Sequence, residues 1–238
     1  MINTSFQFKQ FTIEQDKTAM KVGTDGVLLG AWVQLVDNPF SMLDIGTGTG
    51  LIALMLAQRS NAELIDAIEL NDNAYEQAVE NFENSDWGDR LFCYHSSFDE
   101  FTNEIDDTYD LIISNPPFYT STYKDVPKDR AMARHAESLP YKELLAGVSK
   151  LLAENGSCAF IIPFEEETNF ILLAKENKLF PTRITHVKGT ENSKFKRSLL
   201  QFSFTEKTIE QTALIIEIER HKYTKEYIEL VKDFYLKM

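Results

Sequence analysis

Along most of the chain, short apolar runs rich in β-branched residues alternate with stretches of helical periodicity. Residues 41–45 (SMLDI), 64–69 (LIDAIE), 91–95 (LFCYH), 109–114 (YDLIIS) and 157–163 (SCAFIIP) are predicted as strands. Residues 50–59 (GLIALMLAQR), 71–82 (NDNAYEQAVENF) and 139–154 (LPYKELLAGVSKLLAE) carry apolar positions at helical spacing. This alternation builds βαβ units, and so a mainly parallel sheet with helices on both faces. After residues 161–177 (IIPFEEETNFILLAKEN) a further helix is expected. RITHV (183–187) and SLLQFSFT (198–205) then follow as two strands joined by a polar loop, the pattern of an antiparallel hairpin. ALIIEIE (213–219) is expected to add an edge strand or extend the sheet, and KEYIELVKDFYL (225–236) to close the chain as an amphipathic helix. Ahead of the first strand, TDGVLLGAWVQL (24–35) is predicted as a helix capped by Thr24 or Asp25.

Open parallel sheets bind ligands outside the carboxyl ends of their strands. Four polar features fall on that edge: DIGTGTG after the first predicted strand, Glu69 at the end of the second, SSFDEF after the third and SNPPF after the fourth. Gly46, Gly48 and Gly50 follow a strand and open a helix, allowing a tight turn and close approach of backbone to ligand. The dinucleotide fingerprint G-x-G-x-x-G is broken by Leu51, and no Lys-Ser/Thr pair completes a P-loop. What remains is D-x-G-x-G-x-G with an acid about 20 residues on, Glu69, suited to ribose hydroxyls.

That arrangement resembles the S-adenosylmethionine site of the seven-stranded methyltransferases. The resemblance implies a Rossmann-like class I fold: a mainly parallel seven-stranded sheet with a C-terminal antiparallel hairpin. It places Asp44 near the methionine amino group, the three glycines against the nucleoside, Ser97 in the slot that meets the adenine amine, and Phe98 beside it as a stacking surface. Asp99 would take the adenine contact if the strand end were shifted.

A methyl sulfonium is already a good electrophile, so the difficulty lies with an amine nucleophile whose lone pair is delocalised. Two fixed acceptors turn that pair toward the methyl carbon by binding both N–H hydrogens: the side-chain oxygen of Asn115 and the carbonyl of Pro116. Proline rigidity in Asn115-Pro116-Pro117 fixes their placement, and Phe118 offers a ring for the target to stack on. Asn-Pro-Pro-Phe resembles the amino-methyltransferase signature Asn-Pro-Pro-Tyr/Phe, which serves adenine N6, guanine N2 and glutamine N5. With residues 8–32, 43–59, 111–119 and the terminal FYLKM, the chain resembles the bacterial tRNA1(Val) (adenine(37)-N6)-methyltransferase family over nearly its whole length. The resemblance implies a tRNA substrate with an unstacked adenine 3′ to the anticodon. It also implies that Lys21, Thr24 and Asp25 line the cofactor's methionine end. Guanine-N2 and glutamine-N5 methylation, a non-catalytic RNA-binding module and an NAD-dependent oxidoreductase are the alternatives. Leu51 speaks against the last, and about 40 residues before the first strand leave no room for the helical N-terminal domain usual in glutamine-N5 enzymes.

The net charge of −13 argues against indiscriminate nucleic-acid binding, which rests on phosphate neutralisation. Two loops depart from it. Residues 183–197 carry Arg183, Lys188, Lys194, Lys196 and Arg197 against Glu191, and residues 120–135 carry Lys124, Lys128, Arg130 and Arg134 against Asp125 and Asp129. All of these except Arg183 are candidate RNA contacts. His135 lies near the expected pocket, but the four histidines show no ligand spacing, so no metal is expected. Cys93 and Cys158 sit in apolar runs and are expected as core thiols. No secretory signal or membrane span is evident, which predicts a cytoplasmic protein; no obligate protein partner is implied. The length suits one domain: residues 1–40 would cover the cofactor, and residues 41–238 would form the Rossmann-like core.

Overall fold

The computed structural model describes residues 4–18, 20–35, 38–117 and 139–238. The chain opens with a short antiparallel hairpin, β1 (Ser5–Gln7) and β2 (Thr12–Glu14), followed by helix α1 (Thr24–Trp32). Then come β3 (Ser41–Ile45), α2 (Leu51–Arg59), β4 (Leu64–Glu69), α3 (Asp72–Glu83), β5 (Leu91–His95), α4 (Phe98–Glu104) and β6 (Tyr109–Ser114). After residue 138 follow α5 (Tyr141–Leu151), β7 (Leu152–Pro163), α6 (Glu167–Glu176), β8 (Phe180–Lys188), β9 (Arg197–Ser203) and β10 (Glu210–Ile215). A second hairpin, β11 (Glu217–Glu219) with β12 (Lys222–Tyr223), leads into α7 (Lys225–Val231).

The main sheet has the order β10-β8-β9-β7-β6-β3-β4-β5. Strands β3 to β7 pair parallel with their neighbours, and only β9 runs antiparallel, against both β7 and β8. The central strands are buried on both faces, which is why they read as continuous apolar runs. Leu111 and Ile113 of β6 join one apolar cluster with Val27, Leu54 and Val231; Ile112 joins the other with Leu144, Val148 and Phe170. Successive residues therefore serve opposite helical layers: α1, α2, α3 and α7 on one face, α4, α5 and α6 on the other.

Several expectations are corrected. The sheet has eight strands rather than seven, because β10 adds in parallel to β8. The run 213–219 is broken: β10 stops at Ile215, where β8 reaches its end at Lys188, and Glu217 turns to pair with β12. The helix expected over 139–154 ends at Leu151. Leu152 pairs with Tyr109, and a Cβ on Gly156 would stand 2.9 Å from the Tyr109 carbonyl oxygen, so strand pairing overrides helical periodicity. Helix α7 stops at Val231 because Tyr235 bridges to Phe8 and stacks on its ring, with centroids 5.7 Å apart. Neither Thr24 nor Asp25 caps α1; the N-cap is Gly23, without a side-chain bond, and both residues lie in the first turn.

Candidate active site at the carboxyl edge

The glycine turn between β3 and α2 is built on left-handed backbone. Gly46, Gly48 and Gly50 have φ of 69°, 60° and 80°, values that residues bearing a Cβ adopt only with strain. A Cβ on Gly50 would also lie 2.5 Å from the Phe82 ring. At Gly46 and Gly48 a Cβ would meet nothing within 4 Å, so this stretch of backbone faces open space. The Gly46 and Thr47 N–H groups donate to the Ile68 carbonyl at 2.9 and 3.1 Å, tying the turn to β4. Glu69 completes the tie. Its Oε2 accepts from the Gly48 N–H and its Oε1 from the Asn71 N–H, each at 2.9 Å. Each oxygen keeps a second lone-pair site for a hydroxyl donor.

Asp44, one residue before the end of β3, is 1% exposed. Its Oδ2 accepts from the Thr47 hydroxyl at 2.6 Å, while its Oδ1 is buried with no hydrogen-bond partner among the described residues. Burial pushes its carboxyl up to about 7; the Thr47 hydroxyl and the Ala53 N–H oppose the rise, and Glu69 adds to it. A buried carboxylate with one oxygen unmatched is suited to a cation.

Ile45 of β3 pairs with Ser114 of β6, and the Ser114 hydroxyl donates to the Ile45 carbonyl at 2.8 Å. Gly46 and Asn115 therefore leave neighbouring strands side by side. Asn115 is half-buried, and its Oδ1 is buried without a partner among the described residues. Pro116 is buried and Pro117 exposed. Two orphaned oxygens, on Asp44 and Asn115, thus flank a glycine turn open to a ligand, an arrangement that fits S-adenosylmethionine. Phe118, Lys124, Lys128, Arg130, Arg134 and His135 lie outside the described residues.

Several of the other expected residues have partners within the chain, and the rest are exposed. Ser97 caps α4: its hydroxyl accepts from the Glu100 N–H while the Glu100 carboxylate accepts from the Ser97 N–H, a full capping box. Phe98 is only 7% exposed and belongs to the core cluster of α5, where a Cβ on Gly147 would lie 2.4 Å from its ring, so it offers no open stacking face. Asp99 is exposed in the first turn of α4. The Lys21 ammonium donates to the Gln15 carbonyl within the N-terminal segment. Thr24 is exposed, and Asp25 pairs with Arg197 at 2.8 Å. Lys188 bonds Glu191 through both its carbonyl and its carboxylate, whereas Lys194 and Lys196 are exposed and make no ion pair with a described residue. The two thiols are half-buried (Cys93) and buried (Cys158).

Some residues of the site went unnoticed in the sequence. Asn81, 2% exposed, bonds both the N–H and the carbonyl of Glu14 and also the Thr49 carbonyl, all at 2.8–2.9 Å, clasping the N-terminal hairpin to the glycine turn. Gln77, fully buried, accepts from the Lys17 N–H at 2.9 Å. Their signal was present: two amides four apart on the apolar face of α3. Leu70, 48% exposed beside Glu69, and Ser114 gave none. Among the described residues no three His, Cys, Asp or Glu side chains converge as a metal site, and no helix is long and apolar enough to cross a membrane.

Sheet order, glycine turn and Asn-Pro-Pro loop together define a Rossmann-like class I methyltransferase. The family model for the methyltransferase small domain matches residues 28–163. A structure of the "predicted O-methyltransferase" of Agrobacterium tumefaciens superposes with a TM-score of 0.68 at 17% identity, covering 88% of this chain and 96% of that one. Geranyl diphosphate methyltransferase in complex with GPP and sinefungin, an S-adenosylmethionine analogue, gives 0.55 at 12% identity, covering 76% of each chain. Much nearer in sequence is a Christiangramia forsetii protein, 61% identical over the full length of both chains. Proteins of Flavobacterium johnsoniae (61%, covering 98% of this chain and 100% of the relative) and Bacteroides fragilis (46%, 98% of each) follow. All three carry the name tRNA1(Val) (adenine(37)-N6)-methyltransferase, and this chain belongs to that family.

Proposed function

We infer that the protein transfers a methyl group from S-adenosylmethionine to the exocyclic N6 amine of adenine 37 in tRNA1(Val), in the cytoplasm and without an obligate protein partner. The observation that carries the chemistry is the buried Oδ1 of Asn115, without a partner among the described residues and placed beside Gly46 by the β3–β6 pairing.

When bound, S-adenosylmethionine supplies a methyl group on an electrophilic sulfonium. Asp44 would hold its amino group, Glu69 its ribose hydroxyls, and Leu70 would cover the adenine. Asn115 Oδ1 and the Pro116 carbonyl accept the two N–H hydrogens of the target amine and turn its lone pair out of conjugation. Because both acceptors are fixed before the amine arrives, they stabilise the positive charge that develops on nitrogen without reorganising. Loss of the amine proton follows transfer, so no strong base is required. The chain acts as one domain in this reading. Its N-terminal segment, residues 1–40, covers the cofactor edge, an assignment supported by the Asn81 clasp between Glu14 and Thr49.

The test is to incubate the protein with labelled S-adenosylmethionine and unmodified total tRNA and to identify the methylated nucleoside by mass spectrometry. N6-methyladenosine at position 37 is expected. Methyl on guanine, or on protein alone, overturns the assignment.

A further inference from the structure

At the carboxyl ends of β7 and β8, where the antiparallel β9 begins, lies an aromatic group that neither core accounts for. Phe164 follows β7 directly, and Phe195 is the last residue but one of the loop that joins β8 to β9. Their ring centroids are 5.5 Å apart at 38°, and they pack on His186 at 4.9 and 5.3 Å respectively. Both are half-buried, yet neither belongs to, or packs against, either apolar cluster.

The base beneath them is fixed. Glu167 binds the His186 imidazole at 2.8 Å and accepts from the Ser198 hydroxyl through the same oxygen. The Phe164 N–H donates to the Lys196 carbonyl at 3.1 Å, and the Lys196 N–H to the Val187 carbonyl at 2.9 Å. Rings held this firmly at a solvent edge, outside any core, are organised for contact with something else.

Charge and position narrow the occupant. Lys194 and Lys196, which make no ion pair with a described residue, flank Phe195, whose ring centroid also lies 5.7 Å from the Lys188 ammonium; the nearby acids are Glu165 and Glu166 after Phe164, Glu167 on His186 and Glu191 on Lys188. Aromatic rings flanked by exposed ammonium groups match single-stranded nucleic acid, whose bases stack while its phosphates meet the cations. Ser114 is level with Phe160 in the β6–β7 register, so Phe164 lies on the order of 10 Å beyond Asn115, one strand across. That is the span of a nucleotide or two from the reacting amine.

We propose that Phe164 and Phe195 form a stacking platform for an unpaired base flanking the methylated adenine, with Lys194 and Lys196 on the adjoining phosphates. The proposal rests on the tRNA reading above and extends it to residues outside the Asn-Pro-Pro loop. It also moves the RNA contact of this loop away from Lys188 and Arg197, which are engaged with Glu191 and Asp25.

The test uses the full chain with unmodified tRNA and measures RNA affinity, S-adenosylmethionine affinity and methylation rate. A Phe164→Leu/Phe195→Leu double variant is expected to bind tRNA roughly tenfold more weakly, with unchanged cofactor affinity and unchanged salt dependence. Phe195→Trp should retain wild-type affinity. Lys194→Ala/Lys196→Ala should reduce the slope of log affinity against log salt by about 1 to 2. Wild-type tRNA affinity in the double leucine variant overturns the platform, whether or not the surface binds a protein instead. Equal losses in the leucine and tryptophan variants also overturn it, by making the rings structural. A wild-type protein that leaves tRNA adenine unmethylated removes the substrate assignment itself, and the platform with it.

Discussion

Replacing Asp44 by Asn, and following the consequence across pH, probes the cofactor site directly. Burial raises the Asp44 carboxyl from 3.8 to about 7, a difference of roughly three pH units, or about 4 kcal/mol at 1.36 kcal/mol per unit. Because the folded value lies above the unfolded one, the native state binds the extra proton between about pH 4 and pH 7. Stability from this group is therefore greatest at the acid end and falls as pH rises through that window. Other carboxylates also titrate there, so the informative quantity is the wild-type minus Asp44→Asn difference in unfolding free energy. In urea titrations of the cofactor-free protein that difference should fall by up to 1.4 kcal/mol per pH unit from about pH 5 to 7, then level off. Cofactor affinity should run the other way. An ammonium ion requires the ionised carboxylate, so calorimetric affinity for S-adenosylmethionine should rise up to tenfold per pH unit toward pH 7. It should decline again above about pH 8, where an α-amino group loses its proton. Asp44→Asn should bind weakly and without the acid limb. Parallel stability profiles, together with an acid limb that survives the substitution, would refute both the burial argument and the assigned ammonium contact.

Two further substitutions separate chemistry from scaffolding. Asn115→Ala removes one preorganised acceptor and should lower kcat by roughly 10²–10³, about 2.7–4 kcal/mol, with cofactor affinity unchanged by calorimetry; full activity would exclude Asn115 from the reaction. Asn81→Ala strips buried partners from Glu14 and Thr49. At about 1–3 kcal/mol per orphaned buried group it should destabilise the protein by about 3 kcal/mol or more. It should also weaken cofactor binding and expose the N-terminal hairpin to proteolysis, and an intact hairpin with wild-type stability would contradict the clasp.

The strands were legible because each central one is buried on both faces and bounded by polar turns. SMLDI and YDLIIS keep their predicted limits to the residue. Where pairing rather than periodicity decides, the reading failed. Leu152 continues the apolar spacing of α5 but pairs with Tyr109, and Tyr235 continues that of α7 but bridges to Phe8. At the site, residues whose backbone chemistry is intrinsic stood out: glycines with positive φ, and an asparagine locked before two prolines. Ser97 has a structural role that its spacing signals, since a serine after a strand with Glu100 three residues on marks a capping box. The ties between distant segments, Ser114 to Ile45 and Asn81 to Glu14 and Thr49, exist only once the chain is folded, so local spacing barely signals them.

The strand order explains why the chemistry sits where it does. From β3 the chain builds outward through β4 and β5 in one direction, then returns to place β6, β7 and β9 in the other. The helices that follow β3 and β6, α2 and α5, therefore pack on opposite faces of the sheet, the arrangement that leaves a crevice between the carboxyl ends of the two strands. Gly46 and Asn115 are the first residues on its two lips. On one side lie the groups assigned to the cofactor, Glu69 and Leu70 at the end of β4. On the other lie the Asn-Pro-Pro loop, Phe164 after β7 and the basic loop before β9. Among the described residues, only the carboxylate of Asp44 and the amide of Asn115 are brought to the boundary with oxygens left unmatched. On the proposed assignments the sheet separates binding of the donor from binding of the acceptor. Substitutions far from the crevice on either side should change one affinity alone, and those at its lips should change the transfer step.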